Sequence, residues 1–294
     1  MKVAVVNSFS FNGRGGNEAG VVITEKLPEE AVMQAVARAA GFSETVYISP
    51  AAGAFETRFY TPECEVDLCG HATIAAFFLI VKEGAIRSNK NNMQVLQRTK
   101  AGELKVFIEF GEGETVRVMM EQPAAKRLGR IERGMLARLC SVLNIRESRI
   151  GMKNQGDATP EIISTGLPDI ILPVLDMQTL NSIRPDFAGL ANLSKELGVV
   201  GVHAFTLETV HPNSTVHCRN FGPAVGIDEE SATGTSNGAL GYFLQLKGVL
   251  KEGKMISEQG FSMGKPSLIY VNVAGDRVIV GGEAVKTGEL EVEI

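Results

Sequence analysis

Two helix-forming stretches in this chain have almost no polar face. The first, over 71–83, reads HATIAAFFLIVKE, and the second, over about 235–247, reads TSNGALGYFLQLK. An ordinary surface helix carries one apolar stripe and leaves the rest to water. Helices that are apolar nearly all round, with polar residues gathered at their ends, must be enclosed. The simplest enclosure is a strongly curved, largely antiparallel sheet wrapped around each. The expected fold class is therefore α+β: two pseudo-symmetric lobes, each a curved, mostly antiparallel sheet around a central apolar helix, with a cleft between them. Clefts of that kind are common ligand sites.

The rest of the chain suits this plan. Period-two alternation predicts strands over 1–7, 44–48, 54–60, 93–99, 103–110 and 115–121. A polar, glycine-rich loop is expected over 8–20 and a short strand over 21–23. A helix over 28–40 has Pro28 at its start and Gly41 at its end, the usual asymmetry. Gln122-Pro123 breaks the pattern, and a second half repeats the order of elements. It has a helix over 130–143, strands over 161–164 and 170–175, and a helical stretch over 176–197. Strands over 199–207 and 215–221 precede the second apolar helix. Strands over 255–260, 267–273, 277–281 and 289–293 follow it. The 294 residues suffice for two domains. They are expected at 1–121, with the last strand (about 286–294) as a candidate completion, and at 122–285.

Several function classes fall away. The net charge is −5, with no basic patch interleaved with aromatics, so no nucleic-acid partner is expected. The longest apolar run, 72–81, is about half of a membrane span, so no membrane is expected either. The four cysteines form no CxxC pair, which argues against a zinc or redox motif. With no signal peptide seen, the expected compartment is a reducing cytoplasm. No GxGxxG, GxxxxGK or GxSxG occurs, which argues against nucleotide and nicotinamide cofactors and a serine elbow. His203, His211 and His217 lack tight metal-ligand spacing. The expectation is no metal and no cofactor.

Both apolar helices open from a polar, glycine-bearing turn. One is Cys69-Gly70-His71-Ala72-Thr73; the other runs from Ala232 through Gly234 and Thr235 to Gly238. A helix N-terminus presents unpaired N–H groups and partial positive charge, so each turn can hold an anion. Gly70, Ala72, Gly234 and Thr235 are the candidate substrate-binding positions. Glu44 opens the apolar strand TVYI. It reads either as a solvated loop carboxylate or cap, or as a partly buried acid–base group with a raised pKa. His71, at a helix N-terminus, is expected neutral, as a capping or a hydrogen-bonding group. Glu229 and Glu230 precede the second turn as dipole partners, or one of them as a second acid–base group.

Together the segments GGNEAGVVI, GFSETVYI, FYTPECEVDLCGHATIAAF, STGLPDIILPV, NFGPAVGIDEESATGTSNGAL and EQGFSMGKPSLIYV resemble the phenazine-biosynthesis isomerase-like (PhzF-like) family along essentially the whole chain. The resemblance implies the diaminopimelate epimerase fold, a homodimer, and cofactor-free isomerase chemistry on a small carboxylate. Glu44 matches the glutamate that shuttles the proton. Gly70 and His71 match the first substrate-binding turn, and Gly234 and Thr235 the second. The family's Asp-Pro-Ala-Thr-Gly-Ser is here Glu230-Ser231-Ala232-Thr233-Gly234-Thr235, so a carboxylate and a hydroxyl survive. Distant relatives on the fold are two-thiol racemases. Cys69 matches their first thiol, but Thr233 holds the second position, which disfavours that chemistry. The catalytic expectation is Glu44 with His71 and Glu230. Two alternatives stand beside it: an epimerase with Glu44 and Glu230 as opposed carboxylates, and a non-catalytic anion-binding protein.

Overall fold

A computed structural model of the protein describes residues 1–88, 90–111, 116–156, 158–250 and 252–293. Internal contacts divide the chain into two compact units. One is Met1–Glu121 with Gly281–Ile294, and the other is Gln122–Val280.

The first unit is a closed ring of eight strands around a helix. Arg277–Glu291 pairs with Lys2–Ser8, which pairs with Asn17–Ile23. The ring continues through Thr45–Ala51, Ala54–Tyr60, Asn92–Thr99 and Gly102–Phe110 to Val116–Glu121. Val116–Glu121 pairs back to Arg277–Glu291. The pairings of Asn17–Ile23 with Thr45–Ala51 and of Ala54–Tyr60 with Asn92–Thr99 are parallel. Inside lies Gly70–Lys82, with every residue from Ala72 to Ile80 buried. The enclosure argued from the helix's missing polar face is what the strands supply. The helix Glu30–Ala40 is different: its Met33, Val36 and Ala37 make one stripe that packs on Val3, Val22, Tyr47 and Tyr60.

Two expectations for this unit need correction. The loop expected over 8–20 is shorter, because Asn17–Ile23 is one strand hydrogen-bonded to Lys2–Ser8. The reversal is made by a tight hairpin in which Phe11 and Arg14 exchange backbone hydrogen bonds. Tertiary pairing thus overrides the low strand propensity of Asn-Glu-Ala-Gly. The two closing strands expected over 277–281 and 289–293 are one strand, Arg277–Glu291. Gly281 marks a close approach within it: a Cβ there would sit 2.0 Å from the Val118 carbonyl oxygen. The strand expected from 115 runs from Val116, residue 115 lying outside the described residues.

The second unit repeats the scheme. Its strands neighbour one another in the order Lys126–Arg130, Glu161–Ser164, Pro168–Pro173, Val202–Thr206, Val216–Gly222, Lys254–Gln259 and Ser267–Ala274. Its central helix is Gly234–Leu246, buried from Ser236 to Gly241 and at Phe243 and Leu244. Arg133–Leu143, Met177–Ser182 and Phe187–Leu197 form an outer layer. Their Leu139, Leu143, Leu180, Leu190 and Leu193 pack on Ile170, Leu172 and Val202.

The helix expected from 130 starts at Arg133, because Lys126–Arg130 is a strand paired with Glu161–Ser164. The helical stretch expected over 176–197 is two helices, broken where Pro185 removes a backbone donor. Each has its own N-cap, Asp176 to the Thr179 N–H and Asp186 to the Gly189 N–H. A short strand, Ile227–Glu230, leads into the second turn and was not expected.

Candidate active site

In the first unit, Glu44 sits between a helix end and a strand. Gly41 ends Glu30–Ala40 in the left-handed conformation at φ 72°, which turns the chain toward Thr45–Ala51. The Glu44 carbonyl accepts the Gly20 N–H at 3.0 Å. Only glycine fits there, because a Cβ at Gly20 would lie 2.7 Å from the Phe42 ring. The central helix starts at Gly70 with Cys69 as an N-cap that makes no side-chain cap bond. Its start is tied down from two sides: the Thr73 hydroxyl donates to the Cys69 carbonyl at 2.8 Å, and the Ser8 hydroxyl to the His71 carbonyl at 2.6 Å. The N–H groups of Gly70, His71 and Ala72 have no hydrogen-bond partner among the described residues.

These supports bring three functional groups together. His71 Nε2 lies 3.2 Å from Glu44 Oε2, and His71 Nδ1 lies 3.5 Å from Cys69 Sγ. The buried Oε2 makes no hydrogen bond, and its contact with His71 is an ion pair. Burial by itself raises the pKa of Glu44, but the His71 imidazole outweighs it and holds the carboxyl below its usual range. Burial by itself lowers the pKa of His71, but the Cys69 sulfur and the Glu44 carboxylate raise it well above the usual imidazole value. The expected raised glutamate and neutral histidine are thus both reversed. Each group faces the other's opposite charge, which outweighs burial and the helix dipole. The ligating atoms of Glu44, Cys69 and His71 all lie within 4.8 Å of one another, a set of donors that a zinc ion accepts. Ala72 is fully buried, so it can reach a ligand only through its backbone N–H.

In the second unit, the turn before Gly234–Leu246 is organised by Gln259. Its Nε2 donates to the Glu230 carbonyl at 2.7 Å and to Thr233 Oγ1 at 3.0 Å. Its Oε1 accepts from the Thr233 N–H at 3.2 Å and from Asn237 at 2.8 Å. Thr233 Oγ1 donates to Glu230 Oε2 at 3.3 Å. Thr235 is held through its carbonyl, which accepts from Thr165 at 2.9 Å. The N–H groups of Gly234, Thr235 and Ser236 have no partner among the described residues. Of the two neighbouring glutamates, Glu229 is committed to Arg219 by two hydrogen bonds of 2.8 Å. That leaves Glu230, half-buried, as the carboxylate at this turn.

Behind the turn runs a buried polar chain that sequence reasoning missed. The Ser236 hydroxyl donates to Asp169. Asn220 donates to Ser236 Oγ at 3.1 Å and shares a 3.2 Å contact with His203 Nδ1. Burial pushes Asp169 up to about 6 against partial relief from Ser236 and the Gly201 N–H. Burial pushes His203 down to about 4. The signal was present: Asp169 in PDIILP and His203 in VHAFT are polar residues inside otherwise apolar strands.

A family model described as phenazine biosynthesis-like protein (PhzC-PhzF) matches residues 6–289. The chain belongs to this family. Among PhzC-PhzF relatives, Uncharacterized isomerase YfhB of Bacillus subtilis (strain 168) is 33% identical, over 95% of this chain and 93% of that protein. Uncharacterized isomerase YddE of Escherichia coli (strain K12) is 29% identical, over 95% and 94%. The crystal structure of a Bacillus anthracis PhzF-family phenazine biosynthesis protein superposes with a TM-score of 0.86 at 25% identity, covering 100% of this chain and 99% of that one. A hydroxyproline epimerase from Agrobacterium vitis shares the fold, with a TM-score of 0.59 at 15% identity over 99% and 90%. The protein is therefore an enzyme of the isomerase and epimerase type.

Proposed function

We propose that this PhzC-PhzF protein is a cofactor-independent isomerase that moves a proton on a small carboxylate, with Glu44 as the acid–base group. The observation that carries the proposal is Glu44 itself: a buried Oε2 without a hydrogen bond, ion-paired with His71 at 3.2 Å, at the mouth of a helix with three uncommitted N–H groups. The substrate carboxylate binds the N–H groups of Gly70, His71 and Ala72. Glu44 takes a proton from carbon, and the electron pair of that C–H bond moves into the adjacent π system. The helix N-terminus and the His71 imidazolium stabilise the negative charge that develops. Glu44, now neutral, gives the proton to another carbon of the same substrate or back to the first from the other face. On the family resemblance, Glu230, Gly234 and Thr235 are proposed as further orienting and substrate-holding groups, and a cytoplasmic homodimer as the working form.

The test is NMR of candidate small carboxylates in D2O. The native protein is expected to replace a specific C–H signal, with Glu44→Gln slower by a factor of about 10² to 10⁴. The position and configuration of the new C–D bond separate a positional shift from an epimerisation. Equal exchange by both proteins would overturn the role of Glu44.

A further inference from the structure

We propose that the second unit carries a separate binding site for a small organic anion with an apolar body. The site is a pocket of about 580 Å³ walled by Arg184, His217, Arg219, Phe187, Phe261 and Val210, and none of the candidate catalytic residues lines it. Its volume is that of an ordinary small-molecule site. No carboxylate is among its lining residues, whereas two arginines and a histidine are.

The polar groups of the pocket divide into fixed and uncommitted ones. Arg219 is fixed: it holds Glu229 through two hydrogen bonds and donates to the carbonyls of Leu180 and Ile183 at 3.1 Å. His217 is nearly fully buried and is held by one ring edge. Its Nδ1 lies 2.7 Å from Oε2 of the buried Glu258, on the next strand in register. Glu258 also accepts the N–H groups of Val210 at 2.9 Å and His211 at 2.5 Å. The carboxylate thereby orients the ring. Nε2 has no partner among the described residues. Arg184 is exposed, and its Nη1 donates to the Asn181 and Ile183 carbonyls at 2.7 and 2.8 Å. Its Nε and Nη2 have no partner among the described residues.

The aromatic walls supply the other half of the recognition. Phe261 meets the His217 ring at a centroid distance of 5.1 Å, and Val210 is 63% exposed. A ligand whose carboxylate accepts from the Nε and Nη2 of Arg184 lays its apolar body on Phe187, Phe261 and Val210, beside the His217 ring. The chemistry fitted is an aryl or bulky alkyl carboxylate. Acetate-sized anions leave the walls uncovered, and neutral aromatics bring no charge to the open Nε and Nη2 of Arg184.

Calorimetric titration of the full chain with naphthalene-1-acetate tests this, with naphthalene-1-methanol and acetate as comparison ligands. Saturable 1:1 binding is expected for naphthalene-1-acetate, about tenfold or more weaker for either comparison ligand. Arg184→Gln and Val210→Asp, both at exposed side chains, are expected to weaken it about tenfold with melting temperature unchanged. Binding is expected to persist in Glu44→Gln, which separates this pocket from the proposed active site. The proposal is overturned by absence of saturable binding, by binding indifferent to Arg184→Gln and Val210→Asp, or by binding lost in Glu44→Gln.

Discussion

The residue proposed to carry the chemistry, Glu44, owes its state to a neighbour 27 positions away in the chain. His71 holds it ionised, and the sign of the pH dependence follows. A reaction that needs the Glu44 carboxylate keeps its rate down to below pH 4.5, the ordinary glutamate value, and fails only in stronger acid. In His71→Asn, burial acts unopposed, and the acid limb of the pH–rate profile is expected above pH 4.5. At the other end, the native rate falls once pH passes the raised pKa of His71, and that limb is expected to vanish in His71→Asn. The positions of Glu44 and His71 were legible from SET and CGHAT. Their charge states were not, because these depend on a 3.2 Å contact that no local pattern encodes. The buried chain behind the second turn gives a stability prediction. Asp169, moved from 3.8 to about 6, favours folding fully below its unfolded pKa and loses that contribution as pH rises through 6. His203, moved from 6.5 to about 4, contributes fully above its unfolded pKa and loses it as pH falls through 4. The two oppose each other between pH 4 and 6. Asp169→Asn is therefore expected to make stability climb more steeply over that window, by up to about 3 kcal/mol, in denaturant midpoints measured across pH.

At the scale of elements, the two central helices were the most legible part of the chain. A missing polar face has one physical resolution, and both helices are enclosed as it demands. Phe77 stacks edge-on against Phe55 and Phe243 against Phe205, and Phe77 and Phe243 are fully buried. Phe77→Ala or Phe243→Ala is expected to cost about 3–5 kcal/mol by chemical denaturation. Less legible were elements made by pairing rather than propensity: Asn17–Ile23, Lys126–Arg130 and Ile227–Glu230. Polar and glycine-bearing sequences hid them, and only the partner strand reveals them. Gly281 is the sharpest case. It closed the expected strand 277–281 and is in fact a contact with Val118 inside a longer one, so Gly281→Ala is expected to loosen the pairing of Val116–Glu121 with Arg277–Glu291. Hydrogen exchange along Val116–Glu121 would show faster opening.

At the scale of the molecule, the first unit is built from both ends of the chain. Residues 281–294 supply the strand that closes its ring, pairing with Lys2–Ser8 on one side and Val116–Glu121 on the other. Removing 281–294 is expected to expose Met1–Glu121 to limited proteolysis while Gln122–Val280 stays protected. The Glu44–His71–Cys69 cluster stands on this first unit, so activity is expected to go with it. In the proposed reaction one glutamate moves protons to and from carbon without a cofactor. Mass spectrometry of solvent deuterium uptake into a turned-over carboxylate substrate, comparing the native protein with Glu44→Gln and Glu44→Asp at one pH, tests it most directly. Rapid uptake is expected for the native protein, partial uptake for Glu44→Asp, and a loss of about 10² or more for Glu44→Gln. Uptake by Glu44→Gln at the native rate would contradict it.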